Sequence, residues 1–187
     1  MKTNMPLSTL VVAATASLLC VPASAVTVYA LTEGGSLGRF DSATPNQYQD
    51  LGQIAGLGED ETIIGMDFRP ADGLLYAVTD GSNLYAINKQ VATATLVGAV
   101  TPSVSGSRFG FDFNPVVDRL RITNASGDNL RCDPGALTCT VDGDLAFGGG
   151  DVNAGRTPTV VGSAYTGNQA GATQTALYAI DSALNAL

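Results

Sequence analysis

The sequence predicts an all-β fold, a β-propeller-like repeat of four-stranded antiparallel blades, and two observations carry that expectation. Ile64-Gly65-Met66-Asp67-Phe68-Arg69-Pro70 returns 45 positions later as Phe109-Gly110-Phe111-Asp112-Phe113-Asn114-Pro115. Tyr29-Ala30-Leu31-Thr32 matches Tyr76-Ala77-Val78-Thr79 at an offset of 47. A period of that size, filled with short β-rich runs and turn residues, is the signature of stacked sheet units.

The elements follow in order. Residues 1–25 read as an export signal: Lys2 opens it, Leu10 to Val21 is apolar, and Ala23-Ser24-Ala25 is a small-x-small cleavage site. Pro22 ends the apolar run short of a membrane span. The propeller-like domain then occupies 26–187, with blade pieces at about 26–56, 62–100, 107–146 and 158–187. In the second piece, 62–68, 74–78, 84–88 and 94–100 alternate as strands between the turns Arg69-Pro70-Ala71-Asp72-Gly73 and Thr79-Asp80-Gly81-Ser82-Asn83. The third repeats the plan at 109–113, 119–123, 129–132 and 138–145; the first offers 26–31, 37–40 and 49–54; the fourth offers 159–165 and 176–181. These pieces amount to about three blades, whereas closed propellers have four or more. The expectation is a domain truncated at its C-terminus, whose open strand edges invite association.

Composition narrows the partners. The formal charge is −8, and −9 once Lys2 leaves with the signal; one lysine and seven arginines then face fourteen Asp and three Glu. That balance argues against nucleic acid or an anionic membrane as partner. Removing the signal leaves no segment for membrane insertion, and the expected location is secreted or periplasmic. Cys132 and Cys139 flank a six-residue loop. A hairpin tip at Gly135-Ala136 sets them opposite each other at disulfide distance, as an oxidising compartment favours. The rival is two free buried thiols. Two cysteines and no histidine do not complete a usual zinc shell, so no metal and no cofactor is expected.

The run Phe109 to Arg121, with Asn129-Leu130-Arg131, resembles the hallmark of an exported bacterial family known as domain of unknown function 4394. Gly65-Met66-Asp67-Phe68-Arg69-Pro70 with Leu74, Tyr76 and Ala77 is similar to a flanking motif, as are Ala164-Tyr165-Thr166, Ala170-Gly171-Ala172-Thr173 and Leu177-Tyr178. The resemblance implies an exported, propeller-like domain and supplies no activity or catalytic residue.

One polar constellation stands out. Centring the middle hairpin of the third blade on Ser126 pairs Arg121 with Arg131, Arg119 with Asp133, and Thr123 with Asn129 on one face, while Leu120, Ile122, Leu130 and Cys132 fill the other. Two arginines across a ladder repel unless something anionic lies between them. In one reading Asp112 or Asp118 bridges them as an internal ion-pair network. In the other, Arg119, Arg121 and Arg131 hold a small anionic or carbohydrate ligand, such as an acidic sugar. The acidic, glycine-rich stretch from Asp142 to Asn153 lacks calcium-loop spacing and reads as a solvated loop.

Catalytic signals are sparse. Without histidine, serine and cysteine nucleophiles lack their usual base. Asp67 and Asp112 recur at one place in two blades, which points to a structural role. If the pair converges in a cleft, a carboxylate-based glycosidase or lyase is the alternative. The principal expectation is a non-catalytic ligand- or protein-binding or scaffold module.

Overall fold

The computed structural model describes residues 24–187, so most of the export-signal segment, Cys20 included, lies outside the described residues. The described chain is all-β: thirteen strands in four antiparallel sheets, with no helix. The first sheet is β1 (Thr27–Leu31), β2 (Ser36–Asp41) and β3 (Thr44–Gln53). The second is β4 (Ile63–Phe68), β5 (Leu75–Thr79), β6 (Asn83–Asn88) and β7 (Thr93–Ala99). The third is β8 (Phe109–Asn114), β9 (Arg119–Asn124), β10 (Asn129–Cys132) and β11 (Cys139–Val141), and the fourth is β12 (Val160–Tyr165) with β13 (Leu177–Asp181). Each sheet is a meander of neighbours in sequence, as expected of blades.

Two strand ends differ from expectation. β3 starts earlier than the predicted 49, because Asp41 already pairs with Thr44 across a tight turn. β11 stops at Val141 rather than 145. Beyond it the backbone stays near β10 through single bonds, Asp142 N to Asn129 O and Leu145 N to Gly127 O, but the ladder does not continue through Gly143.

The core lies between sheets. All five residues of β5 are buried, and their alternation feeds two clusters. Leu75 and Ala77 pack with Leu37, Ile54 and Ile87 towards the first sheet, while Tyr76 and Val78 pack with Phe111, Phe113, Leu120 and Ile122 of the third. A blade sandwiched on both faces must be apolar on both, which is why β5 reads as a nearly unbroken hydrophobic run.

The repeated glycine explains how adjacent sheets approach. A Cβ on Gly65 would lie 2.4 Å from Phe111 Cβ, and one on Gly110 would lie 2.4 Å from Ser163 Oγ and 2.8 Å from Ser163 N. Glycine therefore sits in β4 and again in β8 because the first strand of the next sheet passes directly over it. The following turns also repeat: Gly73 and Asp118, 45 residues apart, both take positive φ and both donate back four residues, to Arg69 O and Asn114 O.

Candidate functional site

The polar face of the third sheet forms in the expected register. Arg131 lies opposite Arg121, and Asn129 opposite Thr123. Arg119 pairs with Asp133 at 3.1 Å, and Arg119 Nη1 also donates to the carbonyl of Asp118. Cys132 and Cys139 are directly opposed between β10 and β11 and form a disulfide.

The anion between Arg121 and Arg131 is Asp142. Its Oδ2 accepts from Arg121 Nη1 at 2.6 Å and from Arg131 Nε at 3.1 Å, while Oδ1 accepts from Arg131 Nη2 at 2.9 Å. Arg121 Nη1 also donates to Asn129 Oδ1 at 2.6 Å, and Arg121 Nε to the Tyr165 hydroxyl of β12 at 3.4 Å. The hydrogen bonds from Arg131 and Arg121 hold the Asp142 carboxyl down to about 2.

Neither Asp112 nor Asp118 bridges this arginine pair. Asp118 is claimed by the second sheet: Arg69 grips it through Nε, at 2.8 Å, and Nη2, a two-pronged contact that holds the Asp118 carboxyl below its ordinary range. Asp112 stands opposite Arg121 on the ladder, yet its Oδ1 accepts the backbone N–H of Tyr165 at 3.2 Å. Asp67 repeats that contact one sheet earlier, its Oδ2 accepting the N–H of Phe113 at 2.9 Å. The recurring aspartate thus binds the backbone of the next sheet's first strand, two residues past the glycine that lets that strand approach. Burial pushes Asp67 up to about 6. Burial and the neighbouring Asp67 charge push Asp112 up to about 7.

Asp142, Asn129 and Tyr165 complete the site; the sequence places Asn129 on this face, reads Asp142 only as the start of a solvated loop, and gives Tyr165 no site role. Asp142 was within reach of the register argument. Extending the cysteine-anchored β10–β11 pairing past Leu130 and Val141 puts it beside Asn129, diagonal to Arg131 on the same face. Tyr165 was not, since its approach depends on how the third and fourth sheets stack.

A family model described as a domain of unknown function (DUF4394) matches residues 36–187. No curated protein matches the chain.

Proposed function

Because the chain belongs to the family described as a domain of unknown function (DUF4394), a name that assigns no activity, we propose a role from geometry: an exported, non-catalytic module that binds a small carboxylate-bearing ligand. The observation that carries this reading is the grip of Arg121 and Arg131 on one carboxylate. Three N–H donors from two opposed arginines converge on Asp142, the arrangement by which guanidinium forks recognise carboxylates. Asp142 lies past the end of β11, where Gly143 and then Gly148-Gly149-Gly150 follow, so the internal carboxylate belongs to a loop rather than to the ladder. An acidic sugar exchanging with Asp142 would meet donors already set to its geometry. Export is supported by the pattern of residues 1–25 and by the disulfide.

The test is a thermal-shift titration with galacturonate, glucose and phosphate on the wild type and on Arg131→Ala, whose side chain is 42% exposed. Galacturonate is expected to raise Tm in the wild type and not in the variant, with glucose inert. Cooperative melting of both proteins with no anion raising Tm overturns the ligand and leaves a scaffold. A second reading, carboxylate-based glycoside cleavage, takes Asp67 and Asp112 as its pair: both carboxyls are raised towards neutral pH, chiefly by burial, and Asp112 also feels the Asp67 charge, while each carboxylate accepts a backbone N–H of the next sheet. Release of reducing ends from polysaccharide, lost in Asp112→Asn, would favour it over binding alone.

A further inference from the structure

The loop that leads into the second sheet lays a carboxylate against that sheet. Glu61 Oε2 accepts from the Tyr85 hydroxyl at 2.8 Å and the Thr79 hydroxyl at 2.9 Å, while Oε1 accepts from Asn83 Nδ2. Thr79 and Tyr85 are 0% and 3% exposed, so buried side chains aim the group. Two glycines make room for it: a Cβ on Gly81 would lie 2.6 Å from Glu61 Oε1, and one on Gly58 would lie 2.9 Å from Glu61 Cδ. Burial opposes ionisation, but the hydrogen bonds from Tyr85, Asn83 and Thr79 outweigh it and hold the carboxyl below its ordinary range.

Holding this loop to the sheet does not require a charge. At the 45-residue spacing Asn124 is the counterpart of Thr79 and Gly106 of Glu61, and there the loop is tied down by a neutral carbonyl, Ser105 O, which accepts from Asn124 Nδ2 at 2.8 Å. Glu61 also lacks a cationic partner. The ion pairs among the described residues join arginines to Asp72, Asp118, Asp133 and Asp142, and none reaches Glu61. The side chain is partly exposed and lines a cleft of about 640 Å³ between the first and second sheets. The ionisable side chains of that lining are Glu33 and Glu61, both acidic, and Leu31, Ile54, Leu57 and Ile63 supply apolar wall.

We propose that this cleft binds a primary amine carried on a short alkyl chain, its ammonium on the Glu61 carboxylate and its methylenes against Leu31, Ile54, Leu57 and Ile63. Charge selects the head group, because a lining of one sign with an unpaired carboxylate attracts a cation. An ammonium brings three donors, and Glu61 Oε1, with Asn83 as its one side-chain donor, keeps acceptor capacity to meet one. A bare metal ion fits less well, since no group of three acidic, histidine or cysteine side chains among the described residues could hold one. The apolar wall selects the body of the ligand, since each methylene taken out of water adds to binding. None of these residues belongs to the Arg121–Arg131 site.

The isotope-labelled full-length chain is titrated with n-pentylamine, methylamine, n-pentanol and calcium chloride at neutral pH and low salt, with amide NMR spectra as the readout, alongside Glu61→Gln and Glu59→Gln. Pentylamine is expected to shift the amide signals of Gly34, Gly56 and Leu57. It is expected to bind about tenfold tighter than pentanol, the scale of one hydrogen bond to a charged group, and tighter than methylamine. Glu61→Gln is expected to lose that tenfold while keeping its Tm, since the Thr79 and Tyr85 hydroxyls can accept from an amide as well as donate to a carboxylate. Glu59→Gln, exposed and outside the lining, is expected to bind as the wild type does. No binding, equal binding of pentylamine and either comparison compound, shifts spread over the acidic surface, or unchanged binding in folded Glu61→Gln overturns the proposal. So does calcium moving the same signals at lower concentration than pentylamine. Should Glu61→Gln fail to fold, the wild-type ranking of the probes and the location of the shifted amides decide the matter alone.

Discussion

At Asp112 and Asp67 a single side chain does two things that pull in opposite directions. Each accepts a backbone N–H from the next sheet, which ties the sheets together, and each sits where its charge is poorly solvated, Asp112 buried and Asp67 partly so. Both carboxyls titrate above their ordinary value of 3.8, at about 7 and about 6. The stability they lend is therefore complete below pH about 4 and is lost as pH rises through 6 and 7. Asp142 and Asp118, both lowered, act the other way: their contribution is present above pH about 4 and is lost as pH falls, for Asp142 through about 2. Thermal denaturation followed by circular dichroism should place the greatest stability between these limits. Asp112→Asn keeps an acceptor for Tyr165 N without the charge, and should raise stability by about 1–3 kcal/mol at pH 8 while flattening the upper limb. An unchanged pH profile in this variant would mean that Asp112 is ionised at little cost.

At the scale of the element, the β10–β11 hairpin is short, and its disulfide joins the two strands at a directly opposed pair. β11 has three residues, two of them exposed. The Cys132–Cys139 bond closes a loop at a sequence separation of 7, worth about 2–3 kcal/mol in the chain-entropy view. Cys139→Ser should lower stability by about that much in urea unfolding, and it should loosen Asp142, which follows β11 directly. The hairpin and its register were legible in the sequence because period-two alternation and the cysteine pair fix which residues oppose which. That information sufficed for the opposition of Arg121 to Arg131. It did not extend to Asp118, whose partner Arg69 lies 49 residues earlier on another sheet. Nor did it extend to Asp112, since a ladder gives the neighbours within a sheet and says nothing of what an adjoining sheet presents.

Across the whole molecule, two positions on the second strand of the second, third and fourth sheets can be compared. Tyr76 and Val78 on β5 are 8% and 0% exposed, buried against the third sheet, with the Tyr76 ring edge-on to Phe113 at 5.6 Å. The matching residues on β9 are Arg121 and Thr123, and Arg121 meets the Tyr165 hydroxyl where Tyr76 met a ring. On β13 the matching residues are Tyr178 and Ile180, each 51% exposed, and β13 carries no third strand among the described residues. The apolar face that β5 buries against a following sheet is therefore carried again by β13. Ile180→Lys, at a half-exposed position, should change the melting temperature far less than Val78→Lys, which puts a charge into the closed core; equal losses in thermal denaturation would mean that Ile180 is covered as Val78 is.

The sequence by itself determined the all-β class, the blade period, the strand positions to within a few residues, the opposition of Arg121 to Arg131 and the opposition of the two cysteines. These depend on alternation and turn chemistry, which are local and periodic, and a repeat shows them twice. Only the tertiary structure decided what the repeated Gly65-x-Asp67 and Gly110-x-Asp112 are for, and that Asp142 serves both arginines. Those outcomes depend on which surfaces meet between sheets, and contacts between sheets follow from stacking distance and side-chain volume, which no periodicity along the chain encodes.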